Sequence, residues 1–185
     1  MKAAHPRVSY ADLERWPEDG RRYELYDGEV YVIPAPLLIH QIVLGRLFEA
    51  LNGYTRAHGG LVLVAPLDIV LTNYDVVQAD VLFFEANRVH LLDLYKVTRV
   101  PPDLAIEILS PSTARNDRGR KMQLLARHPV REYWLIDPKA VSVEVYRLTG
   151  REFVLASTAN TSENVRSPLL PTLSLRPADL VADLP

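Results

Sequence analysis

Three acidic residues stand where apolar strands would otherwise run unbroken. Asp68 falls within Pro66-Leu67-Asp68-Ile69-Val70-Leu71, and Asp80 immediately precedes Val81-Leu82-Phe83-Phe84. Glu107 interrupts Leu104-Ala105-Ile106-Glu107-Ile108-Leu109. Carboxylates are poor strand formers and costly to bury unless paired or bound to a cation. In a hairpin symmetric about Tyr74, Asp68 and Asp80 lie opposite each other at about 5 Å, where like charges repel. A divalent cation or a proton between them relieves that repulsion. Glu107, on the next strand, completes an oxygen-rich set that suits Mg²⁺ or Mn²⁺. Each carboxylate alone is as well explained by a neighbouring arginine or a strand end. The three together favour a metal site at Asp68, Asp80 and Glu107.

Lys121 follows on the next helical stretch. Beside a metal-bound phosphate, a lysine orients water or stabilises charge developing on phosphorus. Its spacing fits equally well a solvated helix lysine paired with Asp117, four residues earlier. A lysine acting only on the reacting phosphate implies that Lys121→Ala slows cleavage with little effect on folding. Arg115, Arg118 and Arg120 lie around it, with Arg127 and Arg131 beyond. A solvated helix face accounts for that charge, and so does a phosphate-tracking patch beside the carboxylates. Arg115, Arg118 and Arg120 are therefore the nucleic-acid-binding candidates. His40 and Glu24 are expected to support the site, although either alone would pass for an ordinary helix-start or turn residue. No serine–histidine–acid order, glycine-rich phosphate loop or paired-histidine zinc spacing is present.

The elements that must position these groups read as follows. Ser9 and Asp12 form a capping box for a short helix that Pro17 terminates. Tyr23–Leu25 and Glu29–Ile33 flank a Tyr26-Asp27-Gly28 hairpin turn. Leu38 to His58 carries Ile39, Ile42, Val43, Leu47, Leu51 and Tyr54 at helical spacing, and Gly59-Gly60 ends it. Leu61–Leu71 and Val77–Phe84 read as two strands joined by a turn at Asn73-Tyr74-Asp75, and Leu104–Leu109 as a third. Asp117 to His128 is helical, with Met122, Leu125 and Ala126 on one side. Glu132–Ile136 and Val141–Tyr146 are strands, and the Pro-rich tail from Ser167 ends in a short helix near Ala178–Val181. This order predicts an α/β fold, a mixed sheet covered by helices.

The chain of 185 residues is long enough to bury a core. Its lack of cysteine excludes disulfides, zinc ribbons and thiol nucleophiles and suits a cytoplasmic setting. Met1 to Pro6 lacks the apolar core of a signal peptide, and no stretch is apolar enough to span a membrane. A net charge of −2 excludes a protein that coats nucleic acid by bulk charge.

Several motifs carry a family likeness. Tyr23-Glu24-Leu25-Tyr26-Asp27-Gly28-Glu29, Pro34-x-Pro36 followed by His40, and Gln78-Ala79-Asp80 resemble the Uma-type endonuclease family of bacteria. The most distinctive segment is Pro102-Asp103-Leu104-x-Ile106-Glu107-Ile108-Leu109-Ser110-Pro111-Ser112-Thr113. Asp117-x-x-x-Lys121 and Glu132-Tyr133-Trp134-Leu135-Ile136-Asp137-Pro138 follow at similar positions.

The resemblance implies a branch of the PD-(D/E)XK nucleases, with a restriction-endonuclease-like core of helix, three strands, helix and strand. That implies one domain over 1–185: a helix and hairpin at about 9–33, a nuclease core at about 38–147 and an extension at about 148–185. It makes Asp80 the motif aspartate and Glu107 the acidic residue of the (D/E)XK strand. Leu109 stands where the simplest pattern has lysine, and Lys121 is the replacement. Ala79 stands where proline is usual, and Leu125 where an aromatic residue is common.

The expected function is hydrolysis of DNA phosphodiester bonds with Mg²⁺ or Mn²⁺. Asp80, Glu107 and Lys121 act in it, Asp68 lies in or beside the metal shell, and Glu24 and His40 support. DNA is the expected partner, and a homodimer is compatible with the sequence. The rivals are a non-catalytic nucleic-acid-binding or assembly module on the same fold, and a hydrolase of small phosphate substrates.

Overall fold

The computed structural model describes residues 7–184. The reading of Met1 to Pro6 as lacking a signal-peptide core concerns residues outside that range. Helix α1 (Tyr10–Leu13) starts at the expected box: Ser9 Oγ accepts the Asp12 N–H and Asp12 Oδ2 accepts the Ser9 N–H. Strands β1 (Arg22–Tyr26) and β2 (Glu29–Ile33) turn at Asp27-Gly28. Both turn residues have positive φ, 53° and 81°, as a two-residue hairpin requires. Helix α2 (Leu38–His58) buries Val43, Leu47 and Leu51 and stops at Gly59, whose φ is 77°.

The next strands are β3 (Leu61–Val64), β4 (Ile69–Thr72), β5 (Asp75–Val77), β6 (Val81–Phe84) and β7 (Leu104–Ile108). A helical segment follows: α3 (Ala114–Asn116), a π turn over Asp117–Lys121, and α4 (Met122–Ala126). Then come β8 (Glu132–Asp137), β9 (Ser142–Thr149), β10 (Glu152–Asn160) and α5 (Pro177–Val181). One sheet has the order β10-β9-β8-β7-β6-β3, and a smaller one the order β2-β1-β5-β4. In the large sheet β7 and β8 pair in parallel and the other neighbours are antiparallel. A parallel pair needs a crossover, and the α3–α4 segment supplies it. The predicted helix, three strands, helix and strand are therefore α2, β3, β6, β7, α3–α4 and β8.

The central strands of the large sheet, β6, β7 and β8, are buried on both faces. Helix α2 and the tail residues Val165, Leu169, Leu170, Leu173, Leu175 and Leu180 cover one side, over Ile106, Ile108, Trp134 and Val145. On the other side Tyr26, Ile69, Val77, Leu124 and Leu125 pack over Ala105, Tyr133 and Leu135. Side chains alternate along a strand, so Glu107 shares the face of Ala105 and looks toward α3–α4 and the smaller sheet.

The expected pair of long strands is corrected here. Leu61–Leu71 is two strands in two sheets, broken where Pro66 offers no N–H to the ladder. Val77–Phe84 divides in the same way at Gln78-Ala79-Asp80. The pairings are Ile69 with Val77 and Val64 with Val81, so no single hairpin sets Asp68 opposite Asp80. Strand β10 was not anticipated, although Phe153-Val154-Leu155-Ala156 is an apolar run; it is the edge strand of the large sheet, and Val154 and Leu155 stay exposed.

Among the described residues, no helix is long and apolar enough to cross a membrane.

Candidate active site

The two sheets, the start of α2 and the α3–α4 segment enclose a cavity of about 300 Å³. Glu24, His40, Gln78, Asp80, Glu107, Asn116, Asp117 and Lys121 line it, with the Ser110–Thr113 loop on one wall. Each comes from a place where regular structure changes. Gln78 and Asp80 lie at the crossing between sheets, and Glu107 is near the end of β7. Asp117 and Lys121 bound the π turn, a helical irregularity often found at functional sites.

Lys121 points inward. Its Nζ is 2.7 Å from Glu107 Oε1 and 2.8 Å from Glu24 Oε1, and it donates to the Gln78 carbonyl at 3.3 Å. The lysine is 3% exposed, Glu24 2% and Glu107 4%. This excludes the reading of Lys121 as a solvated helix lysine held by Asp117. Leu109 packs beside the core, and the ammonium that meets Glu107 comes from the helical segment.

Glu24 is held on several sides. Its Oε1 also accepts the Gln78 N–H at 2.6 Å, and its Oε2 accepts the Tyr26 hydroxyl. The Asn116 amide donates to that hydroxyl at 2.8 Å. Asp80 Oδ2 accepts His40 Nε2–H at 3.0 Å and the Ile108 N–H at 2.8 Å. His40 thus reaches from the first turn of α2 to fix the aspartate.

The electrostatics follow from burial and a shortage of positive charge. Burial raises the Glu107 carboxyl well above the ordinary range; the Lys121 ammonium opposes this, while Asp80, Asp117 and Glu24 add to it. Burial also raises Asp117, to about 6, although Lys121 and the Thr113 hydroxyl pull it down. For Lys121, burial alone would favour loss of the proton, but Glu107 and Glu24 outweigh it and hold its pKa well above the usual value. Four carboxyl groups and one buried ammonium therefore face one cavity.

Not every expected residue arrives there. The Asp68 carboxylate accepts from Gln78 Nε2 at 2.6 Å and lines a separate depression with Trp16 and Tyr23. The opposition to Asp80 on which its place in the metal shell rested is absent. Arg118 is bound to both oxygens of Glu144, at 2.5 and 3.2 Å. Arg120 is bound to Glu29 at 2.6 Å and to the Tyr31 hydroxyl. Arg115 is exposed, with no ion pair among the described residues.

Gln78, Asn116 and Asp117 line the cavity and Tyr26 backs it through Glu24, but none of the four was foreseen as a site residue. For Asp117 the signal was available, because residues four apart share a helix face. For Tyr26 and Gln78 only the tertiary crossing of the sheets reveals the role.

Among the described residues, no group of three histidine, cysteine, aspartate or glutamate side chains is placed to hold a metal ion. Of the four carboxylates at the cavity, Asp80 and Glu107 lie side by side at the ends of the paired strands β6 and β7. Magnesium commonly binds through one or two carboxylates and keeps several waters. The donor set fits that open mode of binding, not a closed protein cage.

The profile of the Uma2 family, described as “Putative restriction endonuclease”, matches residues 10–178. An uncharacterized protein of Synechocystis sp. is 27% identical, over 78% of this chain and 76% of its own length. The crystal structure of “a putative nuclease belonging to DUF820” from Anabaena variabilis superposes with a TM-score of 0.79 at 20% identity. That match covers 94% of this chain and 97% of the other. At that identity the likeness shows the fold.

Proposed function

Because the chain belongs to the Uma2 family, described as “Putative restriction endonuclease”, we propose that its cavity hydrolyses DNA phosphodiester bonds with a divalent cation. The observation that carries this reading is the charge imbalance. Glu24, Asp80, Glu107 and Asp117 line a cavity whose buried ammonium is Lys121 alone. Such a cluster is completed by a proton or a cation.

Asp80 and Glu107 would hold Mg²⁺ or Mn²⁺. When bound, the cation supplies Lewis acidity to the scissile phosphate. The remaining work belongs to the chain. His40 Nε2 and the Ile108 N–H keep one oxygen of Asp80 occupied and so fix the direction of the other. Glu24, held by Tyr26 and the Gln78 N–H, anchors Lys121 from the side away from Glu107. The ammonium is thereby placed to balance charge that develops on phosphorus, without moving at the moment of reaction. Exposed Arg115 is available to a neighbouring phosphate, whereas Arg118 and Arg120 reach one only by leaving Glu144 and Glu29. A cytoplasmic setting belongs to the same proposal.

One observation favours the non-catalytic rival: Lys121 already neutralises Glu107, as a binding relic would require. Cleavage of plasmid and oligonucleotide DNA in Mg²⁺, compared with EDTA, decides between them. The enzyme reading expects metal-dependent products that disappear in Asp80→Ala. Binding without any cleavage in Mg²⁺ or Mn²⁺ favours the rival.

A further inference from the structure

The carboxylates are recessed, and the surface around them suits an unstacked strand better than a duplex. Glu107, Lys121 and Glu24 are almost wholly buried, and the cavity above them, at about 300 Å³, lies at the small end for ligand sites. Nucleotides flanking a scissile phosphate must partly enter such a recess. In an intact duplex that means unstacking and unpairing, at a few kcal/mol per nucleotide. A single strand has little of that to lose.

The rim tells the same story. Val32 and Leu37 line the mouth and Leu38 follows directly, with exposures of 53%, 58% and 72%. Two exposed apolar side chains at the entrance to a charged cavity, Val32 and Leu37, are well suited to base faces and poorly suited to a phosphate backbone. Proteins that bind single strands seat bases on side-chain faces, aromatic ones above all, and track the backbone with cations; here the faces are aliphatic.

The cations are indeed few. Duplex binding draws affinity from many lysine and arginine contacts to phosphate. Here Arg118 and Arg120 are paired with Glu144 and Glu29, and Lys121 is locked between two carboxylates. Arg22, which donates to the Pro34 carbonyl, lines the mouth, and exposed Arg115 lies in the chain between the lining residues Thr113 and Asn116.

Resting on the nuclease reading above, we infer that the substrate is unpaired DNA, a single strand or a single-stranded flap. The bases on either side of the scissile phosphate lie against Val32 and Leu37.

Fluorescence anisotropy of the full chain in EDTA tests this, with one labelled oligonucleotide offered as a single strand and as a duplex. The single strand should bind at least tenfold more tightly. Its affinity should fall with salt at a slope of about −1 to −2, since two phosphate contacts at about 0.7 each are expected. The double variant Val32→Ser, Leu37→Ser should weaken that binding about three- to tenfold, as the loss of two aliphatic contact surfaces implies, without lowering Tm, since serine at Leu37 can cap α2. In Mg²⁺ the preference for single strands should reappear in cleavage. Equal or tighter binding of the duplex, or a rim variant that binds like the parent, overturns the inference. So does a rim variant that turns a dimer into a monomer in sedimentation, because the rim would then belong to a second copy of the chain. Duplex cleavage without single-strand cleavage leaves the nuclease reading standing and overturns only this one. A chain that neither binds nor cleaves either form overturns both.

Discussion

Lys121 Nζ lies 2.7 Å from Glu107 Oε1, joining the π turn of the crossover helix to the strand that precedes it. The same ammonium reaches Glu24 on the smaller sheet, so one side chain ties together the elements that wall the cavity. Removing one partner of a buried ion pair costs about 3–5 kcal/mol, because the other charge is left uncompensated. Lys121→Ala should therefore destabilise the fold by that order at neutral pH, contrary to the expectation of a purely catalytic lysine. The loss should shrink in acid, where the carboxyls are neutral. Urea unfolding at pH 7 and pH 4 reads both effects, and equal stability of variant and parent at pH 7 would separate Lys121 from the network.

Asp117 gives a pH dependence of definite sign. Burial raises its pKa to about 6 from an ordinary 3.8. A carboxyl raised on folding contributes stability below its unfolded pKa and loses it as pH rises through the folded value. Stability without metal should thus fall between about pH 4 and pH 7. Asp117→Asn should remove part of that slope and stabilise the protein at pH 7 by about 1–3 kcal/mol. Chemical denaturation across this range checks it; a parent that gains stability from pH 4 to pH 7, with no difference in the variant, would refute the assignment.

Metal should act in the opposite direction. A cation that binds only the folded chain raises Tm by mass action, and its ligands must be deprotonated. Because burial raises Glu107, the Tm increment in Mg²⁺ should be larger at pH 7.5 than at pH 5.5. Glu107→Gln should lose most of it, whereas Asp68→Asn should keep it. Scanning fluorimetry measures all three, and an increment that vanishes with Asp68→Asn would return that residue to the metal shell.

Sequence patterns made the central elements legible because they are strongly periodic or strongly punctuated. Val43, Leu47 and Leu51 mark α2, Asp27-Gly28 marks the hairpin, and the buried run at Leu104–Ile108 marks β7. Asp80 and Glu107 stood out as charges in apolar company, whereas Lys121, set among arginines, was singled out by its place after the Glu107 strand and by the family likeness. The register of Asp68 was misread because hairpin symmetry assumes one sheet, while Pro66 and the Gln78-Ala79-Asp80 crossing hand both strands to another. Apolar patterns do not encode which sheet a strand joins. The partners of the arginines were illegible for a related reason: Glu144 and Glu29 are distant in sequence, and only folding brings them to Arg118 and Arg120.

A separate prediction concerns the tail. Glu132 is buried in β8 and accepts the Ser167 hydroxyl at 2.7 Å, the Leu169 N–H at 2.7 Å and the Trp134 indole N–H at 3.0 Å. Glu132→Ala leaves three donors buried without partners, each costing about 1–3 kcal/mol where water cannot replace the carboxylate. Stability should fall by several kcal/mol in all, and the segment after Asn160 should become the first site of limited proteolysis. A variant whose tail resists protease as the parent's does would show that apolar packing alone holds it.

The central claim is that Asp80 and Glu107 share a divalent cation beside Lys121, and anomalous diffraction from a manganese-soaked crystal tests it most directly. The account predicts a peak about 2 Å from an oxygen of each carboxylate, as direct coordination requires, with His40 still on the other oxygen of Asp80. A crystal saturated with manganese that shows no peak between them, or one centred instead on Asp68, would contradict it.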